Sequence, residues 1–254
     1  MVEELANYLK ECDIEVVAVK NLLLPATTEG KHNILVVPGY NLVEMMEEVQ
    51  DEEDSLSAYV HTQLEEVQRL SVEDAFRKIA ESQLVYTDLS PEQKSLEGKD
   101  FEDIYRAYAL LWEGNELMNE QHCETKTMPF AFHTGWVERK MGEDEELIVL
   151  TLPLEAGYEA PLWVPMGGFN ECPLPVYQSV IFRHFQESYG VTLLAVSDDT
   201  WILQTGRRPQ TYEEALTLAK EHFIFCQYVL EDQPTIGHYV DYLMKNDVWY
   251  FWWD

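Results

Sequence analysis

The chain has 254 residues, with 47 Asp and Glu against 17 Lys and Arg, and a formal net charge of −30. Hydrophobic residues make up 46% and aromatics 12%. That is ample for a buried core and excludes a disordered chain, while no apolar run approaches the ~20 residues a membrane helix needs.

The acid is unevenly placed. Residues 1–150 hold 33 acids and 12 bases, net −21, and residues 151–254 hold 14 and 5, net −9. So strong a negative field repels nucleic acid and anionic membranes; it reads either as a heavily solvated surface that serves solubility or as a face for a basic protein partner. The opening Met1-Val2-Glu3-Glu4-Leu5 lacks the basic and apolar regions of a signal peptide, so the expected location is the cytoplasm. Cys12, Cys123, Cys172 and Cys226 are scattered, with no closely spaced pair, and the seven histidines show no HxH or HxxxH. Neither a structural zinc site nor a disulfide scaffold is expected, and no cofactor is implied.

Along the chain, Leu5, Tyr8 and Leu9 share one helical face. Ile14 to Val19 and Asn33 to Val37 read as strands, the second ended by Pro38-Gly39. Asn41 with Glu44 reads as a helix N-cap, and Asp51 to Asp54 as a solvated helix end or loop. Leu56, Tyr59, Val60, Leu64, Val67 and Leu70 hold helical spacing, and Ser71 with Asp74 restarts a helix. Phe101, Ile104, Tyr105, Tyr108, Leu111 and Trp112 form a further stripe, assigned to packing.

Beyond residue ~125 the period changes to that of strands. Phe130, Phe132 and Trp136 fall in a strand-like stretch with a turn at Met141 to Asp144. Leu147 to Leu152 and Leu162 to Met166 read as strands. Pro173 and Pro175 sit where a helix begins, and Gly190 ends it. Val191 to Val196 and Trp201 to Thr205 form a hairpin around Ser197-Asp198-Asp199, with metal ligation at those aspartates a remote reading. Thr211 with Glu214 is a capping box, a helix covers Ile236 to Met244, and Trp249 to Asp254 closes the chain as a strand. A faint echo links the order around Ile14, Ile34 and Asn41 to that around Ala195, Ile202 and Thr211.

The expected class is α+β. Residues 1–125 form an acidic, mainly helical region with a small β element, and 126–254 a ferredoxin-like β-α-β-β-α-(α)-β sandwich. The two regions pack either separately or as one unit, and a different α+β sheet is the alternative, because element order does not fix strand pairing. Trp249, Phe251 and Trp253 face one way along the closing strand, and Tyr250 and Trp252 the other. Both faces therefore need cover, most cheaply from the same chain. Buried aromatics on this scale imply an interior strand paired on both edges, with Asp254 at its solvent end.

The last ~95 residues resemble a bacterial family, DUF4253. Gly167-Gly168-Phe169-Asn170-Glu171-Cys172-Pro173 is similar to the family's Gly-Gly-Trp-Asn-Glu-Cys-Pro signature, with Phe169 in place of the Trp. Arg183 to Gly190, Phe225-Cys226 and Trp249 to Asp254 resemble its helix end, aromatic-Cys pair and closing motif, with Gln227 where the family has Pro. The family brings no established activity.

Asn170, Glu171 and Cys172 stand between a strand end and a helix start, where α/β layers place ligands. A thiol at a helix N-terminus is favoured as thiolate, although His184 lies too far along the helix to serve as its base. The competing reading makes Asn170 a cap, Glu171 a dipole partner and Cys172 a small packed residue. Two functions follow. The leading one is an acidic protein-binding module, immunity- or inhibitor-like, that takes a basic partner. The alternative is a small-molecule enzyme or binding protein using Asn170, Glu171 and Cys172 with an aromatic wall from Trp163 and Trp252.

Overall fold

The computed structural model describes residues 2–10, 14–19, 29–53, 55–112, 116–140 and 147–254. Its helices are α1 (Val2–Lys10), α2 (Tyr40–Glu52), α3 (Leu56–Arg69), α4 (Val72–Leu84), α5 (Pro91–Lys94), α6 (Phe101–Ala109), α7 (Thr134–Lys140), α8 (Ala160–Trp163), α9 (Pro175–Tyr189), α10 (Tyr212–Phe225) and α11 (Ile236–Lys245). The strands are β1 (Glu15–Val19), β2 (Lys31–Val36), β3 (Leu147–Pro153), β4 (Thr192–Val196), β5 (Thr200–Gln204) and β6 (Val248–Trp252).

The fold is α+β, built on one six-stranded sheet in the order β1-β3-β2-β4-β5-β6. Neighbours are antiparallel except β2 and β4, which run parallel with Leu35 opposite Ala195 and Val36 opposite Val196. A ferredoxin-like sandwich would make its sheet from the C-terminal strands alone. Here β2, from the first half of the chain, lies between β3 and β4, so the alternative α+β sheet is the one observed. The echo between the two halves does not extend to pairing: β4 and β5 form a hairpin, whereas β3 separates β1 from β2.

The two-residue period of the strands sorts their side chains into two layers. Ile34, Val36, Ile148, Leu150, Trp201, Leu203, Trp249 and Phe251 join the large core under α4, α9 and α10. Leu35, Val37, Leu147, Val149 and Ile202 point the other way. A bulge between Leu193 and Ala195 puts Leu193 and Val196 on the same side despite their odd spacing. The chain itself covers the second face, as expected, through Trp136 and Val137 of α7 with Phe130 and Phe132. Phe130 stacks on Tyr250 with centroids 4.7 Å apart.

Several elements differ from their sequence reading. The stretch holding Phe130 and Trp136 forms no strand; it crosses the sheet face and ends in α7. Its alternating aromatics are anchors on that face rather than one side of a ladder. Leu162 to Met166 is not a strand either. Pro161 sits in the first turn of the short α8, where its missing N–H costs no bond, and Pro165 could not donate to a ladder. The cap of α2 is Gly39, not Asn41, which lies inside the helix. Thr211 accepts from the Glu214 N–H, but the Glu214 carboxylate turns to the Gln210 N–H at 2.7 Å instead of closing a box. Cys12 and the turn expected at Met141 to Asp144 lie outside the described residues.

The closing strand β6 is buried as expected but is an edge strand, paired with β5. Trp249, Phe251 and Trp253 are at most 1% exposed. Side chains blunt its free edge: the Tyr242 hydroxyl donates to the Val248 carbonyl and the Cys226 thiol to that of Trp252, each at 3.1 Å. Asp254 is exposed at the end of the strand.

Candidate functional site: an acidic cleft at the strand ends

β2, β4 and β6 all run in the same direction, because β6 is antiparallel to β5 and β5 to β4. Their carboxyl ends therefore meet at one rim of the sheet. The chain leaves β2 for the start of α2, β4 for Ser197-Asp198-Asp199, and β6 for Trp253 and Asp254. A cleft of about 480 Å³ opens there, bounded also by the Gly167-to-Asn170 loop. Open sheets place ligands at such carboxyl ends, where the connections diverge.

The loop has its shape because its residues tolerate positive φ. Gly167 has φ 138°, Gly168 80° and Asn170 43°. A Cβ on Gly167 would lie 2.2 Å from the Pro173 carbonyl oxygen and 2.4 Å from the Gln178 amide, so only glycine fits. Gln178, fully buried on α9, fastens the loop to the sheet. Its amide donates to the carbonyls of Met166 at 2.6 Å and Pro173 at 2.8 Å, and its oxygen accepts from the Trp201 indole at 2.7 Å. Gln178 is a positioning residue that sequence reasoning missed.

Of the residues singled out from sequence, the structure brings Asn170 and Trp252 to this cleft. The Asn170 amide donates to the main-chain oxygen of Asp254 at 2.5 Å, tying the loop to the end of β6. It does not cap α9, whose cap is Leu174. The Glu171 carboxylate accepts from the Tyr228 hydroxyl at 3.1 Å and does not line the cleft. Trp163, on α8, does not line it either. Cys172 is buried two residues ahead of the α9 cap, its sulfur 3.6 Å from that of Met166. Burial pushes this thiol well up, with the Cys226 and Asp199 charges adding to the effect. The expectation of a favoured thiolate fails, because a thiol in apolar surroundings loses the solvation its anion needs.

The cleft instead carries Glu44, Glu48, Asp198, Asp199 and Asp254, and no Lys or Arg lines it. Glu44 and Glu48 stand one turn apart on α2. Phe169 and Trp252 supply aromatic surface. Trp253 also lines the cleft, and its buried indole N–H has no partner among the described residues.

Asp198 and Asp199 are adjacent in sequence and opposite in behaviour. Burial raises Asp198, and the Asp199 charge raises it further. The amide of Asn41 approaches its oxygen at 3.4 Å, and Gly39 leaves room for it, since a Cβ there would lie 3.0 Å from the carboxylate. Burial would raise Asp199 too, but its partners hold it down. Lys140 Nζ donates at 2.7 and 2.8 Å, the Thr200 hydroxyl at 2.6 Å, the Ser197 hydroxyl at 2.7 Å and the Trp252 indole at 3.3 Å. One carboxylate of the pair is thus fully engaged and the other is left to the cleft. Among the described residues, no group of three or more His, Cys, Asp or Glu is placed to hold a metal ion.

An α+β sheet with an acidic cleft at its carboxyl rim describes the molecule. Residues 148–254 match the family model of DUF4253, a domain of unknown function, which bears out the resemblance in the last part of the chain. The match takes in β4 to β6 and nearly all of β3, and leaves out β1 and β2. No curated protein and no solved structure matches the chain. No helix among the described residues is long and apolar enough to cross a membrane.

Proposed function

We propose that the chain is an acidic binding module, inhibitor- or immunity-like in manner, which takes a basic group of a protein partner into the cleft at the strand ends. The observation that carries this reading is the lining: besides Asp199, which Lys140 already pairs, Glu44, Glu48, Asp198 and Asp254 converge on a concave, aromatic-walled surface whose lining holds no Lys or Arg. A single exposed ion pair contributes only ~0.2–1 kcal/mol, so surface charge alone would make a weak partner site. Convergence changes the scale. Two unit charges 4 Å apart attract by about 4 kcal/mol at an effective dielectric near 20, and a guanidinium here would feel several carboxylates at once. The Phe169 and Trp252 rings add a surface on which a planar cation can stack.

The net charge of −30 acts at longer range. It steers basic partners to the molecule and repels acidic ones. A salt titration tests the reading. A nona-arginine peptide should bind with one-to-one stoichiometry, and its affinity should fall steeply between ~50 and ~500 mM salt as the Debye length shortens several-fold. Affinity that does not change with salt, or the absence of a saturable site, would count against it.

A further inference from the structure

A second and larger cavity, of about 760 Å³, lies on the other face of the sheet, beyond Trp252, whose ring lines both hollows. Its floor is the outward side of β6, Tyr250 and Trp252, and its walls include Trp136, Tyr228 and Tyr242. The tyrosine hydroxyls are already engaged. Tyr228 donates to Glu171, and Tyr242 donates to the Val248 carbonyl while accepting from the Phe130 N–H at 3.2 Å. What these rings leave to the cavity is therefore mainly carbon. The volume matches that of pockets that enclose one small organic molecule, ~300–1,000 Å³.

Two neighbouring cations line this space, and they differ. Lys140 is committed to Asp199 through both carboxylate oxygens. Arg139 has no hydrogen bond or ion pair among the described residues. Every other arginine is engaged: Arg69, Arg77, Arg106, Arg207 and Arg208 with carboxylates, and Arg183 with the Leu70 carbonyl. In a chain with such an excess of acid, an unpaired guanidinium beside an aromatic hollow is out of place structurally. A guanidinium is the side chain best shaped to take a carboxylate through two parallel hydrogen bonds.

We infer that this cavity binds a planar aromatic monoanion, its ring among the tyrosines and tryptophans and its acid on Arg139. The overall negative field does not prevent this, since it is screened beyond ~8 Å at physiological ionic strength and Arg139 acts within that range. Glu231 and Asp232 line another part of the same space and set the charge limit. They repel a second negative charge, so the site takes one acid group and not two.

Naphthalene probes of one ring size and different charge test the inference by calorimetry on the full chain. 1-Naphthoate should bind one-to-one, more tightly than 1-naphthalenemethanol, naphthalene-1,4-dicarboxylate or 1-naphthylmethylammonium. Arg139 is exposed, so Arg139→Gln should melt as the parent does, and it should weaken 1-naphthoate by ~10-fold or more through loss of the charge-assisted pair. The same variant should leave the neutral alcohol unchanged. The inference is overturned if the ammonium probe binds more tightly than naphthoate, if Arg139→Gln binds naphthoate as the parent does, or if naphthoate shows no saturable binding at millimolar concentration.

Discussion

Lys140 and Asp199 stand 59 residues apart in sequence, and the lysine Nζ lies within 2.8 Å of both carboxylate oxygens. The pair joins α7, which covers the outer face of the sheet, to the turn at the carboxyl end of β4. It also separates the behaviour of two adjacent aspartates, which gives a first prediction with a sign on each. Asp199 is held below its ordinary value, so its stabilising contribution is complete above ~4 and is lost as the pH falls through its lower folded value. Asp198 is raised, so its ionised form costs stability at neutral pH; that cost shrinks as the pH falls through the raised value and is gone below the ordinary value of ~4. At pH 7, Asp199→Asn should lower Tm, by several degrees if ~1–3 kcal/mol is lost, and Asp198→Asn should raise it slightly. Equal shifts of the same sign in thermal melts would contradict the assignment.

The glycines of the cleft loop are a second test. Gly167→Ala places a methyl 2.2 Å from the Pro173 oxygen and should cost several times more than Gly30→Ala, whose Cβ meets nothing within 4 Å. Gly30, at φ 76°, carries only the left-handed backbone penalty of ~1–2 kcal/mol. Denaturant midpoints for the two variants should separate clearly. Equal midpoints would mean that the Gln178 network yields without strain.

Thiol chemistry gives a third. Cys172 and Cys226 are buried, and burial pushes the Cys226 thiol up to about 12, partly offset by hydrogen bonds to the Trp252, Tyr228 and Val229 backbone. Cys123 is only half-buried. Iodoacetamide at pH 8 should therefore modify Cys123 long before Cys172 or Cys226, as read by peptide mass spectrometry of the folded protein. Rapid modification of Cys172 would restore it as a reactive group.

The position of β2 makes a fourth prediction, about the segment that matches the family. Residues 148–254 alone lack the strand that joins β3 to β4. That segment should give no cooperative melt and should bind hydrophobic dyes. Removal of Val248–Asp254 from the full chain should have a similar effect, since the aromatics of β6 each bury ~150–250 Å² at about 25 cal/mol per Å². A sharp, reversible transition for either truncated form would contradict the sheet described here.

Local chemistry made much of this fold legible in the sequence. Ser71 and Asp74 close the capping box on α4, Gly190 ends α9 at φ 63°, and β4 and β5 form the hairpin that the turn residues require. Each depends on residues a few positions apart. What escaped depends on distant partners. The insertion of β2 between β3 and β4 joins strands more than a hundred residues apart, and no short-range pattern encodes it. The five residues of Leu162 to Met166 are too few for a period to separate helix from strand. Of the proposed site, Asn170 and Trp252 were found because their motifs stand out. Glu48 was not, and Glu44 and Asp198 were read only as a cap partner and a turn residue, because four separate stretches of chain converge on the cleft. The available signal was positional: an acidic pair directly after a strand that runs parallel to its neighbour.

On the proposed function, the cleft carboxylates rather than the overall charge hold the basic partner. The most direct measurement is the dissociation constant of a nona-arginine peptide for three proteins at ~150 mM salt, all confirmed folded by their melts. These are the parent, Glu44→Gln/Glu48→Gln, and Glu92→Gln/Glu97→Gln as a charge-matched change away from the cleft. A loss of ~10-fold or more is expected for the cleft variant and less than ~2-fold for the remote one, since exposed charges far from a contact act only through a screened field. Equal losses in both variants would show that net charge alone attracts the peptide, and would contradict the site.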